Sequence, residues 1–451
     1  MTKMALLLLA LGLAVAAAAP PVSSPTRALV WPQPTQLLDG GAPLLAVSSA
    51  SFTITTSGGG PLLAAAAQRY RKGRIFVAPP LGFQHQRQHT ISSALGSLAV
   101  SVASPNETLG LGVDESYSLD LQRGTLAAGT VFGALRGLET FAQLVSTATK
   151  GSFVVPPVQI VDRPRFSYRG ILVDTARHFI NVTRLQDIID AMEIIKLNVL
   201  QLHMTDDQSF PFGSTTHPNI TRYGAFNAQS VFSHGDLQAL SAYAKARGVW
   251  IQVELDLPAH SASWKGAYDF AWCSQKAGQP AQPSASTHSS GLPNPTLAST
   301  FSLLADLYGE LVPLLSAGEI KGRVVSERFV CLPVRSHCVY IYGCFVVGSC
   351  YHVTPCNVLH MSCLASILTQ GNAVVMYQHL GGDEVERNCW TNDPAVQKWA
   401  DAHGYRNDLG AWDCGNRSIC STECAFHVGQ AQAALAAGFG SLYMWEDARG
   451  E

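Results

Sequence analysis

The chain has 451 residues, 47% of them hydrophobic and 14% charged, with a formal net charge of -2. Such a length allows about two or three domains, and the composition is that of a globular core and excludes a disordered chain. A charge so near zero leaves no electrostatic footprint for nucleic acid or for an anionic membrane surface.

Residues 1–19, MTKMALLLLALGLAVAAAA, combine Lys3, an apolar run and the small residues Ala17 and Ala19 before Pro20. This is the layout of a cleaved signal peptide and is short for a membrane span, so it predicts entry into the secretory pathway. Four N-x-S/T sequons, at Asn106, Asn181, Asn219 and Asn416, are expected to carry glycans in that compartment. Six of the eleven cysteines crowd between Cys331 and Cys363, and the odd total argues against one disulfide framework for the whole chain.

From residue 20 to 163, β-rich runs such as "SFTITT" and "ESYSLDLQ" alternate with helical stretches such as "PLLAAAAQRYRK" and "TVFGALRGLETFAQLV". That alternation predicts a small α+β domain. At Pro164 the rhythm changes to buried strand, loop, long helix, buried strand. The expected strands are "RGILVDT" (169–175), "NVLQLHMTD" (198–206), "VWIQVELD" (249–256), "HLGGDE" (379–384) and "SLYMWED" (441–447), separated by helices such as "TRLQDIIDAMEIIK" and "HGDLQALSAYAKARG".

Strands buried on both faces read as apolar runs, and in a TIM barrel the chemistry sits at their C-terminal ends. Asp174, Asp206, Asp256 with His260, Asp383 with Glu384, and Trp445 with Glu446 all fall at such ends. A single aspartate there is usually a cap or a turn residue. Five strands that end alike point to one shared pocket.

In this order, "SYRGILVDTARHF", "KLNVLQLHMTDDQSFPF", "VELDLPAHSASW", "HLGGDEVERNCW" and "LYMWED" resemble the family 20 glycoside hydrolases, the β-N-acetylhexosaminidases of lysosomal, plant and algal type. "LVWPQPTQL", "DESYSLDL" and "GALRGLETFAQLV" resemble the small N-terminal domain of that family. The resemblance implies an α/β fold, with a TIM barrel over residues 164–451, and an enzyme that needs no cofactor. Its partners would be glycans ending in N-acetylhexosamine, with room for a homodimer. The implied location is the lysosome, the vacuole or the exterior.

The adjacent carboxylates suit that chemistry. Retaining glycosidases that use a carboxylate nucleophile place two carboxyls about 5–5.5 Å apart across the bond. Neighbours on one strand differ in direction and rise only about 3.3 Å, so Asp383 and Glu384 are poorly placed to straddle a sugar. In substrate-assisted hydrolysis the 2-acetamido oxygen attacks C1 instead. By the resemblance, Glu384 is the general acid and Asp383 orients the acetamido N–H and stabilises the oxazolinium charge.

The resemblance also implies that Arg169 grips sugar hydroxyls and that Asp206 and His260 line the pocket. It makes Trp445 the wall of the acetamido site and pairs Cys273 with Cys389 across the rim. Ala259 stands where the family usually has glycine, so a small shift of the His260 ring is expected. Cys414, Cys420, Cys424 and His427 have a spacing that fits no zinc signature, and no metal is expected.

Two regions depart from the family pattern. A stretch of about 323–377, rich in cysteine and almost free of charge, is longer than ordinary loops. A translated intron is favoured for it over a buried lid or a disulfide-bonded insertion. Only five of the eight strands of a barrel are legible, so the chain as written is expected to be incomplete and inactive alone. The alternative function is a non-catalytic carbohydrate-binding or cell-surface protein.

Overall fold

A computed structural model describes residues 30–77, 91–149, 152–267, 292–315, 377–379, 382, 385, 390, 393–403, 422–438 and 441–443. Asp383, Glu384, Cys273, Cys389, Trp445 and Asn416 lie outside the described residues, as does most of the 323–377 stretch. The chain divides into two compact units, with the main boundary between Arg165 and Phe166.

The first unit carries strands β1 (Gln36–Leu38), β2 (Leu44–Val47) and β3 (Thr53–Ser57), helix α1 (Gly60–Gly73), then β4 (Ile91–Ala94), β5 (Ser97–Val102), β6 (Tyr117–Asp120) and β7 (Thr125–Ala128). Helix α2 (Val131–Leu144) follows, with β8 (Ser146–Thr149), β9 (Ser152–Val155) and β10 (Gln159–Asp162). Six of these strands form a mixed sheet in the order β1-β10-β6-β7-β5-β3, and four form a second in the order β4-β2-β9-β8. Alternation along β5 buries Leu98, Val100 and Val102 and exposes the serines and alanine between them. Helix α2 starts where the Thr130 hydroxyl accepts the Gly133 N–H, and it is buried on nearly every side. Its one buried cation, Arg136, is paired with Glu115 at 2.6 Å.

The second unit is built on five parallel strands in sequential order: β11 (Gly170–Asp174), β12 (Val199–His203), β13 (Trp250–Glu254), β14 (Tyr377–His379) and β15 (Ser441–Tyr443). Helices α3 (Val182–Ile194), α4 (Pro218–Gly224), α5 (His234–Lys245), α6 (Ala298–Leu315), α7 (Pro394–His403) and α8 (Thr422–Ala437) lie between them. Strand–helix–strand units of this kind make a TIM-barrel sheet. Among the described residues it remains open, with β11 at one edge.

Leu200 and Leu202 of β12 and Ile251 and Val253 of β13 share one apolar core with Leu185 and Ile189 of α3 and Leu237 and Leu240 of α5. Each of these side chains is almost fully withdrawn from water, which contributes about 1.5–3 kcal/mol apiece before entropy is counted. The sequon residue Asn181 is also the cap of α3, its side chain accepting the Arg184 N–H. Ser233 closes a full capping box with Asp236 at the start of α5.

The described part of the fourth strand is Tyr377–His379, and Gly382 beyond it has φ 108°, a conformation open to glycine.

Glu310 of α6 fastens the segment after β12 to the helix layer. Its carboxylate accepts from Ser214 Oγ (2.6 Å), Thr215 N (2.7 Å) and Thr216 N (3.1 Å), and from His234 Nε2 at 2.9 Å. Burial alone would raise its pKa, but these hydrogen bonds lower it to about 2. A carboxylate depressed in the folded state contributes stability that is present above its unfolded pKa, about 4.3, and lost as pH falls toward the folded value. Glu310→Gln is therefore expected to destabilise the protein by about 2–4 kcal/mol at neutral pH, with the deficit shrinking between about pH 4.5 and 2. Urea midpoints of both proteins measured across that range check this, and a pH-independent difference would refute it.

Candidate active site

Parallel register sets Asp174 beside His203, His203 beside Glu254, and Glu254 beside His379. Polar side chains of Asp174, His203 and Glu254 thus form one row across the C-terminal ends of three strands, in register with position 379 of the fourth. One layer below, Gln201 of β12 stands beside Gln252 of β13. These polar residues alternate with the leucines, isoleucine and valine that face the helices, so they occupy the opposite face of the sheet.

Glu254, Asp206, His260, Asp256 and His203 are all buried, and their hydrogen bonds answer that burial. His203 lies 2.9 Å from Glu254 Oε1 through Nδ1 and 2.9 Å from Asp206 Oδ2 through Nε2. Gln201 Nε2 donates to the other Glu254 oxygen. Asp206 also pairs with Arg177 Nη2 at 2.8 Å and lies 3.4 Å from His260 Nδ1. Arg177 reaches Asp174 at 2.8 Å with its second terminal nitrogen.

These contacts decide the protonation states. Burial would lower the pKa of His203, but hydrogen bonds to Asp206 and Glu254 carry it up to about 10, so the ring is a cation at physiological pH. Burial would raise Asp206, yet the bonds from His203 and His260 hold its carboxyl far below the usual carboxylate range. Asp174 is lowered too, because the Arg177 main-chain and side-chain donors outweigh its partial burial.

Metal binding can be tested on the same geometry. Donor atoms of Asp174, His203 and Asp206 cluster within 4.8 Å, as do those of His203, Glu254 and Asp256. Both sets share His203, whose two nitrogens each face a carboxylate oxygen at 2.9 Å. A ring that donates from both nitrogens has no lone pair to give a metal, and Arg177 adds a second positive charge beside Asp174 and Asp206. The arrangement is an ion-pair network.

The network reaches the adjacent-carboxylate motif through its backbone. Asp256, two residues beyond β13, accepts the Gly382 N–H at 2.8 Å through Oδ1. Gly382 is the residue immediately before Asp383. His260 stands 3.8 Å from the other Asp256 oxygen. The loops that carry these groups are tied together by Asp207, which accepts the Ala262 N–H at 3.0 Å, and by Thr205, which accepts from Trp264 Nε1 at 2.9 Å. The unusual backbone falls on His260, with φ 52°, and not on Ala259. Alanine at 259 is accommodated without a left-handed conformation, so no strain arises there.

Asp206, His260 and the main chain beside Asp383 are therefore brought together. Arg169 is set apart from them: it precedes β11, and its Nε and Nη1 donate to the main-chain oxygens of Lys196 (2.9 Å) and Phe166 (2.7 Å). The arginine inside the carboxylate cluster is Arg177. Sequence reasoning missed Arg177, His203, Glu254, Gln201 and Gln252. The strands did carry a signal for the last four, the i, i+2 spacing in "QLH" and "QVE".

The model of the glycosyl hydrolase family 20 catalytic domain matches residues 166–321 and 357–448, more than half of the chain. The chain belongs to glycoside hydrolase family 20. A second family model, "beta-acetyl hexosaminidase like", matches residues 30–144. The catalytic match breaks between 321 and 357, inside the charge-poor stretch, and resumes before "HLGGDE". Among relatives, the human β-hexosaminidase subunit beta is 30% identical over 407 residues, which cover 88% of this chain and 61% of that protein. The Arabidopsis thaliana β-hexosaminidase 1 is 34% identical over 280 residues, 58% of this chain and 50% of that protein. The Dictyostelium discoideum subunit A1 is 32% identical, over 68% of this chain and 46% of its own. The chain thus spans about half to two thirds of the length of these family members.

Solved structures share the fold. A Flavobacterium johnsoniae chitobiase of family 20 superposes with a TM-score of 0.65 at 22% identity, covering 94% of this chain and 53% of its own. A Vibrio harveyi family 20 exo-β-N-acetylglucosaminidase, solved in complex with N-acetylglucosamine, gives 0.60 at 18%, covering 93% and 57%.

Proposed function

We propose that this protein hydrolyses terminal, non-reducing β-linked N-acetylglucosamine or N-acetylgalactosamine by substrate-assisted retention. Glu384 protonates the leaving oxygen, and Asp383 orients the acetamido group whose oxygen attacks C1. The observation that carries this reading is the Asp256–Gly382 bond, because it ties the backbone beside the two carboxylates to the buried network of Asp206 and His260. Family membership and the fold shared with an enzyme solved with N-acetylglucosamine support it. Trp445 walls the acetamido pocket in this proposal, and Arg177, at the strand ends, takes the contact with sugar hydroxyls that motif resemblance alone assigned to Arg169.

The chain spans only about half to two thirds of its relatives' length, so the test is release of 4-nitrophenol from its β-N-acetylglucosaminide and from its β-glucoside by a version that lacks residues 323–377 and carries a full eight-stranded barrel. In that version the first is expected to react and the second, lacking the acetamido group, to resist. Equal hydrolysis of both, or a glycosyl ester trapped on either carboxylate, would overturn substrate assistance. Sugar binding with no turnover of either would favour the carbohydrate-binding alternative.

A secretory route, ending in a lysosome, vacuole or outside the cell, belongs to the same proposal, as do a homodimer and the Cys273–Cys389 disulfide. Among the described residues no helix is long and apolar enough to cross a membrane. Asn106, Asn181 and Asn219 are exposed, as glycan acceptors must be. Under non-reducing proteolysis a peptide containing Cys273 is expected to be linked to one containing Cys389. Pairing of Cys389 with a cysteine of 331–363 would show instead that the charge-poor stretch is a folded part of the protein.

A further inference from the structure

We propose that His203 is a positioning residue for the strand-end site. Clamped between Glu254 and Asp206, its ring supplies a fixed cation that orients Asp206 toward His260, and through it Glu254 acts on a carboxylate that it does not touch. This rests on the proposed roles of Asp206 and His260 in sugar hydrolysis.

The geometry carries the argument. Parallel register fixes His203 opposite both Asp174 and Glu254. Glu254 is itself held, since its side chain takes the Gln201 amide and its main-chain oxygen accepts the Met204 N–H at 3.0 Å. With Glu254 immobile, a ring that must reach it at 2.9 Å through Nδ1 has one direction left for Nε2, and Asp206 Oδ2 lies there at 2.9 Å. A neutral ring donates from only one nitrogen and would leave its other lone pair facing a buried carboxylate, which is unfavourable.

Asp206 has two cationic neighbours on the same oxygen, and they differ in kind. The Arg177 side chain is 41% exposed and bridges out to Asp174, whereas that of His203 is 6% exposed. Arg177 sits at the solvent side, where an incoming ligand can displace it. His203 stays under the site. The charged or titratable groups around its ring are Asp206 on its own loop, Asp174 and Arg177 from β11 and the loop after it, and Glu254, Asp256 and His260 from β13 and beyond.

The first measurement does not need turnover. In the full chain labelled with nitrogen-15 histidine, both ring nitrogens of His203 are expected to be protonated at about pH 8, where an ordinary imidazole with pKa about 6.5 is neutral. Glu254→Gln should return the ring to the singly protonated form. A singly protonated wild-type ring overturns the proposal, whether or not the chain cleaves sugar. This measurement is read without turnover, so it stands whatever the outcome of the hydrolysis test.

The second measurement uses the aryl β-N-acetylglucosaminide. His203→Gln should lower kcat about a hundredfold while KM changes by less than about threefold. It should also move the acid limb of the kcat profile to higher pH, because Asp206 then holds a proton more readily. A purely structural role would reduce the yield of folded enzyme and leave that limb in place. Wild-type kcat, or an unmoved limb, overturns the proposal. Should His203→Gln fail to fold, Glu254→Gln gives the same two kinetic readings with the ring retained.

Discussion

Glu384→Gln is expected to abolish cleavage of glycosides with poor leaving groups while sparing activated aryl glycosides by comparison. Protonation of the leaving oxygen is worth about 10²–10⁴-fold, and only a poor leaving group needs all of it. Asp383→Asn is expected to slow both substrate classes, because the acetamido oxygen displaces either aglycone from C1 in the same step and the oxazolinium charge must be stabilised in both, before any water arrives. Steady-state kinetics with a chitooligosaccharide and with an activated aryl glycoside separate the two variants. Equal losses on both substrates for Glu384→Gln would remove the acid assignment.

The second large effect is expected at a residue that need not touch sugar. Asp256→Ala deletes the acceptor that holds Gly382 N–H at 2.8 Å and leaves that buried donor unsatisfied. The unfolding free energy should fall by about 1–3 kcal/mol, a loss a folded domain can absorb. Turnover should fall further, on the order of a hundredfold for both classes of glycoside, since a displacement of about 1 Å in the catalytic segment has that cost. Urea titration beside kinetics checks the split. A stability loss with unchanged kcat would confine Asp256 to holding the fold.

Much of this site is legible in the sequence, for a physical reason. An aspartate at the end of an apolar run is costly unless the run ends where polar chemistry begins, so Asp174, Asp206 and Asp256 marked the C-terminal edge of the sheet. The layer beneath was hidden because "NVLQLHMTD" and "VWIQVELD" read as continuous apolar strands. The residues at alternate positions, Gln201 with His203 and Gln252 with Glu254, belong to a face whose partners lie on a neighbouring strand some fifty residues away. Nothing local reveals that such charges will be satisfied. Arg169 and Arg177 illustrate a different limit. They flank the same strand, whose ends are about 15 Å apart, and motif resemblance selects the first while the contacts to Asp174 and Asp206 belong to the second.

His260 holds φ 52°, a conformation that costs a residue with a side chain about 1–2 kcal/mol and costs glycine almost nothing. Folding and chemistry therefore pull in opposite directions at this one position. A library randomised at residue 260 and sorted for thermal survival should drift toward glycine and asparagine, whereas the same library sorted for sugar release should return histidine. The imidazole beside Asp206 is kept against the preference of its own backbone, and a stabilising programme blind to turnover would discard it first.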